Sequence, residues 1–344
     1  MINNLVSIII VNYNSYDYLI NCIDSIKNSK SDFSYEIIVV DNASTDNTAV
    51  DFPRTHTDIK FISNEFNNGF ASANNQGIEV AVGEYILLLN PDIVVFDYSL
   101  DSMAKFLKNN PKAGGCGCKV VNDDMSFQAS YFGFPSLIKE FGHLLRIDRN
   151  RWLLAKIKNS KIYTGGSSRK SELIGLSEIK STIEVDYLLG ACLMVKKVVI
   201  DKVGPLDDKI FMYIEDTEWC FRIKKSGYGI HYVPTGKVLH YGGKSAETID
   251  QRMLFEYSRS RLYFYGKAYG LFQKSVLKMI IVTDMVIKSL FVWFSMPKLE
   301  MKQLQSRYKN VFSAEQSVSA RDYFVSHFRS VSLYFSIIKM AIFS

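Results

Sequence analysis

The sequence predicts an α/β protein: a mixed, mainly parallel sheet flanked by helices, followed by a C-terminal helical appendage. Three observations predict it. Short β-branched or aliphatic runs recur near residues 6–11, 36–40 and 85–89. They are too brief for helices and apolar on both faces, as strands of a covered parallel sheet are. Stretches of helical period separate them, the pattern of βαβ units. Composition is globular, with 344 residues, 47% hydrophobic, 22% charged and seven prolines. That excludes disordered, collagen-like and disulfide-scaffold classes.

The elements follow in order. Val6 to Val11 is the first strand, and a helix over about 16–28 sets Leu19, Cys22, Ile23 and Ile26 on one face. Glu36 to Val40 is a second strand ending at Asp41. A short helix, a strand near Ile59–Ser63 and a helix near 70–82 come next. Tyr85 to Leu89 ends at Asn90-Pro91-Asp92. The stretch 113–185 is less regular and holds a basic, partly aromatic segment over 146–161 and the run Gly165-Gly166-Ser167-Ser168. A strand over Tyr187–Val195, a helix near 197–203 and a helix around Thr217–Ser226 restore regularity, and from 251 onward the pattern is mostly helical. Three parts result: 1–112, 113–250 and 251–344.

Their net charges are −7, +4 and +9, concealed in an overall +6. An acidic front and a basic, aromatic-rich tail suggest different partners, and the tail suits an anionic membrane surface better than nucleic acid. The five cysteines form no CxxC pair, so buried thiols in a reduced, cytosolic setting are expected. The start has no basic region ahead of its apolar run, so no signal peptide is expected.

In parallel sheets ligands bind beyond the carboxyl ends of the strands. Three such ends carry polar clusters: Asn12-Tyr13-Asn14, Asp41-Asn42-Ala43-Ser44-Thr45-Asp46, and Asn90-Pro91-Asp92. A carboxylate there can accept from a base or ribose, or hold a divalent cation; Asp41 and Ser44 equally suit capping of the next helix.

These residues resemble the family 2 inverting glycosyltransferases of the GT-A nucleotide-sugar fold, and within them the rhamnosyltransferase-like branch of bacterial polysaccharide assembly. Val6 to Asn14 is similar to the family's first strand and loop, and Ile38 to Asp46 to its nucleotide-base signature. Asn67-Asn68-Gly69-Phe70 resembles its donor-side helix start. Leu89-Asn90-Pro91-Asp92 resembles the metal-binding DxD, with Asn90 replacing the first Asp. Gly190 to Met194 is similar to the acceptor-side strand, and Phe211 to Arg222 to the segment carrying the catalytic base.

The resemblance implies Asp216 as general base, with Glu215 as second candidate. It implies donor contacts from Asn12, Tyr13, Asn14, Asp41, Asn68, Gly69 and Asn90, the helix after Gly69 offering its first amides. Asp92 would hold a divalent cation, Mg²⁺ or Mn²⁺, with His240 as a ligand or a phosphate partner. The implied reaction moves a sugar, L-rhamnose from dTDP-L-rhamnose being the expectation, to a lipid-linked saccharide for O-antigen or capsule. A galactofuranosyl or other hexosyl transferase of the same fold is the alternative, and a non-catalytic scaffold a further one. A nucleotidyltransferase would want a Gly-rich basic loop where Asn12-Tyr13-Asn14 stands.

Residues 276–296 are apolar but interrupted by Lys278, Asp284 and Lys288, charges too costly for a spanning helix. An amphipathic helix lying on the cytoplasmic face of the inner membrane is expected, with Leu277, Ile280, Ile281, Met285, Ile287, Phe291, Val292 and Phe294 toward lipid. Val331 to Phe343 is a second interfacial candidate. Packing on the catalytic part, or on a second subunit in a homo-oligomer, is the rival reading.

Overall fold

The structure is a computed structural model that describes residues 2–145, 179–242, 251–309 and 320–343. The basic segment over 146–161 and Gly165–Ser168 lie outside the described residues. The chain divides into two units: Met1–Phe134 with Ala155–Thr248, and Pro135–Leu154 with Ile249–Ser344.

The first unit is the expected α/β body. It runs β1 (Ile2–Asn12), α1 (Tyr16–Asn28), β2 (Ser34–Asp41), α2 (Thr48–Thr55), β3 (Lys60–Ser63), α3 (Phe70–Val80), β4 (Gly83–Leu89), β5 (Ile93–Val95) and α4 (Ser99–Asn109). It continues with β6 (Ala113–Val121), β7 (Phe127–Gln128) and β8 (Tyr131–Phe132). After α5 (Leu137–Leu144), which belongs to the second unit, come β9 (Ile183–Val185), β10 (Tyr187–Leu188), β11 (Cys192–Lys196), α6 (Lys197–Val203), α7 (Glu215–Lys225) and β12 (Gly229–His240). The main sheet has the order β3-β2-β1-β4-β11-β6-β12-β5 among the described residues. Its β3-β2-β1-β4 half is parallel, and β11 enters antiparallel between β4 and β6.

Ile8 and Ile10 of β1 face one buried cluster with Leu19, Cys22, Ile23 and Ile26 of α1, while Ile9 and Val11 face the other. Burial on both faces is why these strands read as unbroken apolar runs. All five cysteines are free and buried, as expected.

Three stretches depart from the sequence expectation. The expected strand Tyr187–Val195 is split into β10 and β11, because residues 189–191 leave the sheet. β6 and β12 lie in stretches read as irregular or unassigned. In β6 a Cβ on Gly117 would meet the Cys192 carbonyl at 2.8 Å, so the antiparallel neighbour demands the small residues that weaken the strand signal. In β12 the pairing with β6 shifts between Val233 and Lys237, around Pro234 and Gly236.

The second unit packs α9 (Leu271–Lys309) against α8 (Gln251–Tyr269), α10 (Ala320–Phe343) and α5. Buried Glu140 of α5 accepts from Arg261 and from the Tyr265 hydroxyl, and the Tyr269 hydroxyl donates to the Pro135 carbonyl. The arc expected to face lipid is largely taken by this packing: Leu277, Ile280, Ile281 and Met285 are buried, while Ile287 is exposed. Phe291, Val292 and Phe294 lie outside the described side chains. The apolar surface left open is instead Phe272, Met279, Val286 and Leu290 of α9, with Ile138 and Phe141 of α5 and Leu145 just after it. Among the described residues no helix is long and apolar enough to cross a membrane.

Candidate active site

The register of β1 and β2 sets Asn12 opposite Asp41. Asn12 Nδ2 donates to Asp41 Oδ1, Ser44 Oγ and Thr48 Oγ1, each at 3.1 Å. Asp41 also accepts from the Ser44 hydroxyl at 2.5 Å and the Ser44 amide at 3.2 Å. Asp41 and Asn12 are both fully buried, so Asp41 ties down the turn that carries Ala43 at φ 66°. Above it, Asn14 Oδ1 accepts from the Thr45 amide at 2.6 Å, and Tyr13 is half-exposed.

Asn42, unremarked as a binding residue in the sequence, organises the next loop. Its Nδ2 donates to Asn67 Oδ1 (2.9 Å) and the Gly69 carbonyl, and its Oδ1 accepts from the Asn64 side chain and the Asn68 amide. The first amides before α3 are therefore engaged within the protein: Asn68 N with Asn42, Gly69 N with Asn67 Oδ1 (3.0 Å), and Phe70 N with the Phe211 carbonyl (2.8 Å). The expected open row of donor-facing amides is absent at these three positions, since protein acceptors reach them first. Gly69 has φ +87°, and a Cβ there would lie 2.3 Å from the Phe211 oxygen. The glycine serves a close approach between this loop and the segment leading into α7.

That segment is strained. Tyr213 (φ 63°) and Ile214 (φ 71°) lie consecutively in the left-handed region, and Ile214 is the N-cap of α7. A β-branched residue there is an outlier of the kind that clusters at functional sites. The next two residues are Glu215 and Asp216, both buried. Asp216 Oδ2 accepts from the Gly190 amide at 2.9 Å, and Oδ1 accepts from the amide and hydroxyl of Thr217. Burial raises the Asp216 carboxyl, while these donors pull it back. Glu215 is pushed up to about 8, by burial first and by the Asp216 charge second, and its Oε2 is buried without a hydrogen-bond partner. The three donors favour the anion on Asp216, so Glu215 holds the pair's proton near neutrality.

Asn90, Asp92 and His240 complete the group. The Asn90 amide donates to the Ala191 carbonyl at 3.0 Å, next to the Gly190 amide that reaches Asp216. Asp92 Oδ1 stands 3.2 Å from His240 Nε2, at the end of β12 where Tyr241 N donates to the Asp92 carbonyl. One carboxylate and one imidazole nitrogen suit Mg²⁺ or Mn²⁺ as two of its ligands. Among the described residues no cluster of three or more His, Cys, Asp or Glu could hold a metal. Diphosphate and water oxygens would have to fill the remaining positions.

Glu218 is not part of this group. It is ion-paired to Arg222 at 2.7 Å, and Arg222 also donates to the carbonyls of Val203, Gly204 and Pro205 at the end of α6. An open cavity of about 490 Å³ between α3 and α6 shares no lining residue with the site.

Polar strand ends of a mixed sheet, a buried carboxylate and a carboxylate–imidazole pair are the arrangement expected of the GT-A fold. The comparisons agree. Residues 7–159 match Glycosyl transferase family 2. An N-acetylglucosaminyl-diphospho-decaprenol L-rhamnosyltransferase of Mycobacterium tuberculosis is 25% identical over 267 residues, 74% of this chain and 81% of that protein. Rhamnosyltransferase WbbL of Escherichia coli K12 is 26% identical over 245 residues, 69% of this chain and 83% of that protein. Among solved structures, mannosyltransferase PcManGT from Pyrobaculum calidifontis, in complex with GDP-Man and Mn²⁺, has a TM-score of 0.53 at 15% identity, covering 98% of this chain and 86% of that one. That likeness is one of fold. The family match and these relatives support a rhamnosyltransferase-like glycosyltransferase of family 2, a hexosyltransferase by class.

Proposed function

We propose that this enzyme transfers L-rhamnose from dTDP-L-rhamnose, with inversion, to a hydroxyl of a lipid-linked saccharide in surface-polysaccharide assembly. The observation that carries the reading is the bridge at Gly190-Ala191, which links the Asn90-Pro91-Asp92 turn to the Asp216 carboxylate within two residues. A leaving-group site and a base on either side of one anomeric carbon require that closeness.

Residues 1–112 form the donor half, 113–250 the acceptor half apart from α5, which packs with the appendage of 251–344. Asn12, Tyr13, Asn14, Asp41, Asn68, Gly69 and Asn90 shape the nucleotide subsite, Asp41 from behind, through the turn it fixes. Asp92 and His240 would hold Mg²⁺ or Mn²⁺, which would supply positive charge to the departing diphosphate. Asp216 accepts the proton of the acceptor hydroxyl as its oxygen bonds to the anomeric carbon and the bond to the diphosphate breaks. Glu215, holding its own proton, keeps a second negative charge away from that carboxylate.

The two rhamnosyltransferase relatives support the sugar, and the decaprenol-linked substrate in the name of one supports the lipid-linked acceptor. The +9 appendage and the exposed Phe272, Met279, Ile138 and Phe141 support peripheral binding to the anionic cytoplasmic face of the inner membrane. Failure of the purified protein to sediment with anionic vesicles would remove that part.

A screen of the purified enzyme against nucleotide sugars, by donor hydrolysis and thermal shift, tests the donor. Selective response to dTDP-L-rhamnose is expected. A response confined to UDP-galactofuranose or another hexose donor would replace rhamnose while leaving the reaction class intact.

A further inference from the structure

His240 is held by a one-way chain of hydrogen bonds that begins at a carboxylate far from it in sequence. Ionised Asp124 is an acceptor only. The Ser126 hydroxyl therefore donates to Asp124 Oδ1, at 2.5 Å. Ser126 Oγ in turn accepts from Asn122 Nδ2 at 2.8 Å. That fixes the amide of Asn122, whose Oδ1 accepts from Gln128 Nε2 at 2.9 Å. Gln128 thus presents Oε1, and not its NH₂, to His240 Nδ1 at 2.7 Å. Only a ring bearing its hydrogen on Nδ1 satisfies that contact. In the neutral ring Nε2 is then a bare lone pair, pointed at Asp92 Oδ1 from 3.2 Å. Two acceptors facing each other at that distance repel unless a proton or a cation lies between them.

The frame around the chain is tight. Gln128 pairs with Val120 across β7 and β6, and the Asn122–Ser126 turn is closed by two backbone bonds, with Met125 at φ 66°. Gly242, at φ +37°, leaves room for the contact: a Cβ there would lie 2.9 Å from Gln128 Nε2 and 3.4 Å from His240 Nδ1.

We infer that Gln128 is a positioning residue for the cation site, locking His240 in the Nδ1–H tautomer so that Nε2 and Asp92 together face a divalent metal. The inference rests on the reading of Asp92 and His240 as the metal pair. Outer partners of ligating histidines typically contribute about 10- to 100-fold in metal affinity.

The probe is Mn²⁺, titrated by electron paramagnetic resonance into the full-length enzyme with whichever nucleoside diphosphate the donor screen selects. Gln128→Met, which keeps length but removes the acceptor, is expected to weaken Mn²⁺ binding about 10- to 100-fold. Gln128→Glu retains an acceptor for Nδ1–H but loses the donor to Asn122 Oδ1, and is expected to bind Mn²⁺ more tightly than Gln128→Met, a partial rescue that lost packing would not give. If His240→Ala and Asp92→Asn weaken Mn²⁺ binding while Gln128→Met does not, the positioning role is overturned and the metal pair stands. If neither His240→Ala nor Asp92→Asn changes the affinity, the metal reading itself fails, and this inference with it. Histidine-selective ¹⁵N spectra of the wild-type enzyme give a check independent of any variant's folding: His240 is expected to carry hydrogen at Nδ1, and an Nε2–H neutral tautomer would overturn the proposal.

Discussion

Replacing Gly69 by alanine perturbs the joint on which donor loop and base segment meet. The backbone there has φ +87° and ψ 167°, a conformation essentially reserved for glycine, and forcing another residue into it costs about 1–3 kcal/mol. The new Cβ would also lie 2.3 Å from the Phe211 oxygen and 2.9 Å from its Cα. Overpacking of that kind costs about 1–3 kcal/mol. Together the two give about 2–6 kcal/mol, and at about 2–4 °C per kcal/mol for a domain of this size the Tm should fall by about 4–24 °C. Relief by moving the 211 segment would shift Tyr213 to Asp216, so turnover should fall about 100-fold, the cost of misplacing a catalytic group by about 1 Å. Scanning calorimetry and steady-state transfer read the two effects. The sharper control is Gly69→Ala with Phe211→Ala: the closest clash is with backbone, so truncating the ring should not restore Tm. Unchanged Tm in the single variant, or recovery in the double, would refute the reasoning.

Glu215 is pushed from 4.5 to about 8 in the folded protein, so the native state keeps a proton that the unfolded chain releases. Stability should fall as pH rises through that window, by at most about 1.4 kcal/mol per pH unit, and Glu215→Gln should remove most of the slope in urea unfolding; an unaltered slope would contradict the assignment. Arg222→Ala takes the partner from Glu218, which is 1% exposed, and should cost about 3–5 kcal/mol. Arg222→Lys keeps charge but loses the fork to Val203, Gly204 and Pro205 and should cost about 1–3 kcal/mol. Equal Tm values for wild type and both variants would contradict the clamp.

What the sequence discloses depends on how local the cause is. β1, β2 and β4 are legible because burial on both faces writes an apolar run into the chain itself. β6 is not, because Gly115 and Gly117 answer to the carbonyls of β11, a long-range contact that dilutes the local signal. The start of α7 lies two residues ahead of the expected Thr217, since Ile214 caps it in a left-handed conformation that no propensity anticipates. The structure brings the polar strand ends together, but their division of labour comes from packing. Asp41 is turned inward onto Asn12, Asn42 takes over the loop to Gly69, and Glu218 belongs to Arg222. Gln128 lies in a two-residue strand and is visible only once β12 brings His240 beside it.

The central claim is that Asp216 accepts the acceptor's proton beside a diphosphate held at Asp92. Asp216→Asn, assayed in parallel for nucleotide-sugar binding and for transfer to acceptor, tests it most directly. The account predicts donor affinity within about threefold of wild type, because the acceptor-side carboxylate is not a donor ligand, and transfer reduced at least about 100-fold, the usual range for loss of a general base. Transfer near the wild-type rate would contradict it.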